Sequence, residues 1–261
     1  MSIPKKIHYC WFGGAPIPDK DKRCIESWSK FCPDYEIILW DETNYDFRKS
    51  NYMREAYEAK KWGFVPDYAR LDIVNREGGI YLDTDVEVIR PFDDLLSMRL
   101  FCGFESRDKV AFGLGFGSEP QHPLLQKLLD SYSNMRFIND DGELNMLPSP
   151  EVQTPVLAAA GLKLDGSYQV LPDGVTVLPV DWLCPQSFVT GKTEITPNTH
   201  SIHHYAMSWA SESRKLQRAY AVRLCDHGVP EKAADQIAKL AAVIRTGDFS
   251  RILNKFKRSR G

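Results

Sequence analysis

The chain has 261 residues, enough for one large α/β domain or two small ones with a sizeable core. Its formal net charge is -2 with both signs interspersed, which argues against a nucleic-acid or other polyanion partner. Six scattered cysteines without C-x-x-C or zinc spacing fit reduced thiols in a cytoplasmic protein, and no signal peptide or run of eighteen apolar residues is present.

Ile7 to Phe12 (IHYCWF) reads as a first strand closed by Gly13-Gly14, and it carries Trp11 to the C-terminal end, where open α/β sheets bind ligands. Alone, Trp11 is more often core than a ligand platform. Asp19 to Phe31 has a helical stripe at Cys24, Ile25, Trp28 and Phe31, stopped by Pro33. Tyr35 to Trp40 predicts a second buried strand and Met53 to Trp62 a further helix. This β-α-β-α order is that of a nucleotide-binding α/β half.

The most informative stretch is Val65 to Val88, VPDYARLDIVNREGGIYLDTDVEV. Pro66 suits the first turn of a helix, and Asp67 offers a carboxylate to its unpaired N–H groups. Asp67, Arg70, Leu71 and Val74 share a face, and Gly78-Gly79 ends a helix of about three turns. Ile80-Tyr81-Leu82 then predicts a buried strand running into Asp83-Thr84-Asp85, with Tyr81, Asp83 and Asp85 on one side. Carboxylates about 6.5 Å apart on one face repel by roughly 2–3 kcal/mol at an effective dielectric of 20. A divalent cation relieves that repulsion, and hard oxygen ligands suit magnesium or manganese completed by a substrate diphosphate. An isolated D-x-D is more often a solvated acidic turn.

Helix, Gly-Gly and YLDTDV together resemble the DXD-containing glycosyltransferases of family 32, which include capsular-polysaccharide transferases, Och1-like mannosyltransferases and, distantly, the glucosyltransferase domain of large clostridial toxins. The resemblance implies a glycosyltransferase-A fold: a Rossmann-like nucleotide-sugar-binding α/β domain with a central mixed sheet. It implies that Asp67 and Arg70, sixteen and thirteen residues before Asp83, hold the donor sugar and ribose. It also implies that Trp11 stacks on the base of a UDP-sugar, that Tyr81 belongs to the donor site, and that Asp83 and Asp85 hold Mn2+ or Mg2+.

Leu100 to Phe104 predicts another strand. Gly113 to Gly117 (GLGFG) lacks the spacing of a phosphate loop and reads as close packing or a bulge. Many relatives have Asn near Gly113, so that acceptor-side role stays unassigned. Pro123 opens a helix expected to reach Met135, Asn139 to Pro150 reads as a surface loop or acceptor lid, and Gln153-Thr154-Pro155 precedes an alanine-rich helix and resembles a family acceptor segment.

Val175 to Val180 predicts a strand, and Ser201 to Trp209 (SIHHYAMSW) resembles the family's final motif. In a strand His203 and His204 face opposite sides, so one of them at most reaches a given site. The resemblance implies His203 for the metal or diphosphate and Ser208 and Trp209 for the phosphates, with His204 in reserve. Pro230 to Gly261 is helical in pattern, with apolar stripes at Ile237, Leu240, Ala241, Ile244 and at Phe249, Ile252, Leu253, Phe256, the second among basic residues. It suits peripheral contact with the inner membrane face or packing on the domain.

The expected organisation is a catalytic domain over 1–225 and a basic helical tail over 226–261. The expected activity is metal-dependent, retaining transfer of a hexose from a UDP-sugar to a glycan or lipid-linked oligosaccharide acceptor in surface or capsular polysaccharide synthesis. A D-x-D phosphatase is the alternative, disfavoured because Glu87 stands where its motif wants Thr or Val. A non-catalytic glycan-binding relative is the other, disfavoured by intact Asp67, Arg70, Asp83 and Asp85.

Overall fold

The computed structural model describes residues 2–208 and 210–248. They form two compact units, one of residues 2–185 and 194–204 and a second of residues 186–193, 205–208 and 210–248.

The first unit is α/β. In chain order it contains β1 (Lys6–Cys10), α1 (Asp19–Phe31), β2 (Glu36–Trp40), α2 (Asn51–Glu58), α3 (Pro66–Glu77), β3 (Gly79–Tyr81) and β4 (Val86–Val88). Then come β5 (Leu100–Ser106), β6 (Lys109–Ala111), β7 (Phe116–Ser118), α4 (Pro123–Asp130), α5 (Ser149–Ala159), β8 (Gln169–Leu171), β9 (Val175–Leu178), α6 (Val180–Leu183) and β10 (Ser201–His203). The main sheet runs β2-β1-β3-β7-β5-β9-β8, with β6 paired to β5. Pairing is parallel for β1 with β2 and β3 and for β5 with β9, and antiparallel elsewhere, so the sheet is mixed as expected.

A separate two-stranded antiparallel sheet pairs β4 with β10, Val86 opposite His203 and Val88 opposite Ser201. It joins the acidic stretch to the histidine motif, and α1 holds it in place. Trp28 of α1 is fully buried and its indole N–H donates to the Val86 carbonyl at 2.8 Å, while Ser27 Oγ accepts from the Val88 amide at 2.8 Å.

Several expected boundaries shift for visible reasons. The helix expected from Met53 to Trp62 ends at Glu58, because Lys60 takes a left-handed backbone with φ 56°. The helix from Pro123 ends at Asp130 rather than Met135, and the strand from Val175 ends at Leu178, where α6 begins one residue beyond Pro179. Gln153-Thr154-Pro155 lies inside α5 instead of ahead of a helix. Gln153 Oε1 accepts from the Phe112 amide and Thr154 Oγ1 from the Val110 amide, both at 3.1 Å, so these side chains tie α5 to β6 and the backbone just after it.

In the second unit α7 (Glu212–Asp226) and α8 (Glu231–Thr246) form a helical hairpin. Ser211 caps α7 by accepting from the Arg214 amide, and Gly247 ends α8 in the left-handed region at φ 69°. The second apolar stripe, at Phe249, Ile252, Leu253 and Phe256, lies outside the described residues. None of the six cysteines forms a disulfide, and among the described residues no helix is long and apolar enough to cross a membrane.

Candidate donor and metal site

α3 starts at Pro66 and stops at Gly78, whose amide donates back to the Val74 carbonyl at 2.9 Å. Gly78 and Gly79 have φ of 65° and 100°, conformations that a side chain disfavours. Crowding adds to this, since a Cβ on Gly78 would press on Pro4 and Pro120. His8 locks the same turn. It is fully buried, its Nε2–H donates to the Gly78 carbonyl at 2.8 Å, and its Nδ1 accepts from the Trp40 indole at 3.1 Å. Burial, the largest influence, holds this imidazole down at about 4, so it is neutral.

The strand expected to carry the D-x-D ends earlier, at Tyr81. The Asp83 carbonyl accepts from the Val86 amide at 3.1 Å, so Asp83-Thr84-Asp85 is a turn between the main sheet and the small one. Strand alternation therefore does not set the direction of the two carboxylates; the turn does. Thr84, the middle residue, donates to Asp21 Oδ2 of α1 at 2.9 Å.

Across the small sheet, His203 Nε2 lies 3.3 Å from Asp85 Oδ1. Asp83, Asp85 and His203 each bring one ligand atom within 4.8 Å of the others, with side chains half-buried or better. Two carboxylates and an imidazole form a donor set that fits a divalent cation with open positions for diphosphate oxygens. Burial alone would lower the His203 pKa, but Asp85's charge and hydrogen bond, aided by Cys184, hold it well above the usual range. His204 faces elsewhere: its backbone N–H donates to the Asp85 carbonyl at 3.0 Å and its ring pairs with Glu87 at 2.8 Å.

Behind the turn lies a buried charge network. Arg70 Nη2 reaches Asp67 Oδ1 at 2.9 Å and Asp83 Oδ1 at 3.5 Å, its Nε donates to the Pro66 carbonyl at 3.0 Å, and its guanidinium stands 5.2 Å from the Tyr81 ring centre. Tyr81 donates to Asp83 Oδ1 at 2.9 Å. Burial raises both carboxyls, Asp67 to about 7, while Arg70 opposes the rise. Asp67 also accepts from Ser149 at the head of α5.

Gly113 touches this network. The Asp83 amide donates to its carbonyl at 3.1 Å, and a Cβ there would collide with Asp83 Oδ2 and Arg70 Nη1. The GLGFG stretch is thus a close backbone approach, and no asparagine side chain fits this position in the present arrangement.

Trp11, just beyond β1, is half-buried and its indole N–H donates to the Ala15 carbonyl. Ser208 belongs to the second unit and is exposed, whereas Trp209 lies outside the described residues. The boundary between the units runs through the final motif, between His204 and Tyr205, and both Tyr205 and Met207 have φ of 53°.

The sequence profile of the glycosyltransferase sugar-binding region containing the DXD motif matches residues 18–101, which includes α1, α3 and the acidic turn. Over this region the chain is similar to the DXD-motif glycosyltransferases. It is 34% identical over 133 residues to mannosyl phosphorylinositol ceramide synthase SUR1 of Saccharomyces cerevisiae, covering 49% of this chain and 34% of that one. It is 30% identical over 119 residues to subversion of eukaryotic traffic protein A of Legionella pneumophila, covering 35% and 18%. Inositol phosphoceramide mannosyltransferase 1 of Schizosaccharomyces pombe is 29% identical over 143 residues, covering 50% and 43%. The matches thus span less than half the length of each of these three relatives. Among solved structures, PaToxG glycosyltransferase superposes with a TM-score of 0.48 at 23% identity, covering 60% of this chain and 70% of that one.

Sequence reasoning missed the supports of the site. Asp21, Ser27 and Trp28 read as an ordinary amphipathic helix, and their contacts with Thr84, Val88 and Val86 span about sixty residues of sequence. No local pattern signals such a contact.

Proposed function

We propose that this glycosyltransferase moves a hexose from a UDP-sugar to a glycan or lipid-linked acceptor with a divalent cation, manganese or magnesium, and with retention of configuration. The observation that carries the reading is the convergence of Asp83 and Asp85 with His203, residues from two motifs 118 positions apart. Asp83, Asp85 and His203 would hold the cation. When bound, it supplies Lewis-acid neutralisation of the leaving diphosphate.

The remaining roles follow from charge and position. Arg70, kept cationic by buried Asp67 and half-buried Asp83, orients Asp83 and offers donors beside the site. Tyr81 fixes the other approach to Asp83 Oδ1. Asp67 meets the donor's sugar or ribose hydroxyls, and Trp11, its indole already pinned, offers a face to the base. For Ser208 and Trp209 we keep the phosphate role that the resemblance of their motif implies. No side chain is assigned as nucleophile, since front-face displacement lets the leaving phosphate take the acceptor proton.

The names of the yeast relatives support a lipid-borne acceptor and favour a second donor reading, a mannosyl nucleotide. Surface or capsular polysaccharide synthesis at the inner membrane face is the setting we assign. Nucleotide release from a panel of UDP- and GDP-sugars, with manganese and with chelator, is the test. Metal-dependent release of UDP from one sugar supports the first donor, and release of GDP from GDP-mannose alone supports the second. Absence of both binding and release across the panel would sink the reading.

A further inference from the structure

We propose that the α7–α8 hairpin is a docking surface for an anionic lipid bilayer, through an apolar groove on its described residues. α8 buries Ala234, Ala238, Ala242 and Val243, yet Ile237, Leu240 and Ile244 are 51%, 56% and 66% exposed. These three stand at i, i+3 and i+7, one stripe of the helix. Beside them is an open groove of about 780 Å³ lined by Tyr220, Leu224, Ile237 and Ile244, and also by Arg223 and Arg245.

Charge selects the occupant. The second unit's described residues carry eight Lys and Arg against five Asp and Glu, a net of +3, against -10 on the first. The near-neutral chain is therefore divided, and the aliphatic stripe of α8 lies in its basic part. A second copy would bring the same Arg223 and Arg245 to a self-complementary contact. The chain's own residues 249–261 include five Lys and Arg and no acid, so seating them beside Arg223 and Arg245 also opposes like charges. Nucleic acid offers phosphates but no match for three exposed aliphatic residues, and its usual platforms are aromatic. A bilayer with anionic headgroups accepts both, burying the aliphatic stripe at the acyl boundary and attracting each nearby Lys or Arg.

Vesicle binding does not depend on turnover, so this surface can stand or fall apart from the assigned reaction, which would only explain its use. Full-length protein is sedimented with phosphatidylcholine vesicles containing or lacking phosphatidylglycerol, at low and high salt. Binding should require the anionic lipid and fall with salt. Ile237→Asp combined with Ile244→Asp should weaken it about tenfold or more, as should Arg223→Glu combined with Arg245→Glu, with donor hydrolysis and the thermal melt unchanged. Wild-type protein that ignores anionic vesicles overturns the proposal, and so does equal binding by the aspartate variant. Loss of self-association in that variant with vesicle binding intact would assign the face to a second copy instead. Vesicle binding without turnover of any nucleotide sugar would retire the assigned reaction and leave this surface standing.

Discussion

The acidic turn of the first unit and the hairpin of the second use charge in opposite ways. Around Asp83 ionisable groups are withdrawn from water and answer one another: Arg70 is 3% exposed between Asp67 and Asp83, and His203 lies against Asp85. On α7 and α8 the charges stay in solvent while aliphatic side chains join them at the surface. Buried ion pairs cost much to assemble and more to break, so the first arrangement holds a reactive geometry. Exposed charges beside apolar side chains cost little and suit reversible contact with a second phase.

The contrast breaks most visibly at Arg70. Arg70→Leu leaves buried Asp67 and half-buried Asp83 without their cation and should cost about 3–5 kcal/mol of stability, measured by chemical denaturation. A loss below about 1 kcal/mol would mean that the network is not buried as described.

At the turn itself, Asp85→Asn removes a charge and a ligand with little change in volume. Transfer should fall by roughly 10²–10³-fold or more, as should the coupling between manganese and UDP binding, which is reciprocal when the two share a site. His203→Ala should weaken the same coupling less, and His204→Ala should leave it near wild type, because that ring pairs with Glu87. Calorimetry of UDP binding with and without manganese measures all three. A larger defect in His204→Ala than in His203→Ala would reverse the assignment.

His8 gives the first unit a pH dependence. The unfolded chain holds this imidazole near 6.5 and the fold holds it at about 4, so the unfolded state takes up the proton first as pH falls. The stabilisation is complete above pH 6.5 and is lost between 6.5 and 4, about 3 kcal/mol in all. His8→Gln should flatten the stability profile in that window, and an unchanged slope would assign it to other groups.

The smallest effect belongs to the second unit. Leu240→Lys, at a side chain 56% exposed, should change the melting stability by no more than about 0.5 kcal/mol. A loss several times larger would show that this stripe is covered.

Much of the acidic region was legible in sequence because its signals are local. Pro66 starts a helix and Gly78-Gly79 ends it, and the structure has α3 over Pro66–Glu77. The pattern of α1 was equally clear, and the helix runs from Asp19 to Phe31 as its stripe requires. The direction of the carboxylates was misread, since a run of strand-forming residues cannot announce that the Asp83 carbonyl will be claimed by Val86 three residues later. Whole-chain charge hides a division that the contacts reveal, between an acidic first unit and a mildly basic second one among the described residues.

Sequence by itself determined α1 and α3 with the stop at Gly78-Gly79, the β-α-β-α order of the first half and the residue types offered to a cation, because each depends on neighbours within a few positions. Tertiary structure decided that Trp28 and Asp21 brace the acidic turn, that Gly113 must lack a side chain beside Asp83 and Arg70, and that β10 carries His203 to Asp85. Those contacts join residues far apart along the chain, and their energy exists only after the intervening segments have folded and excluded water between them.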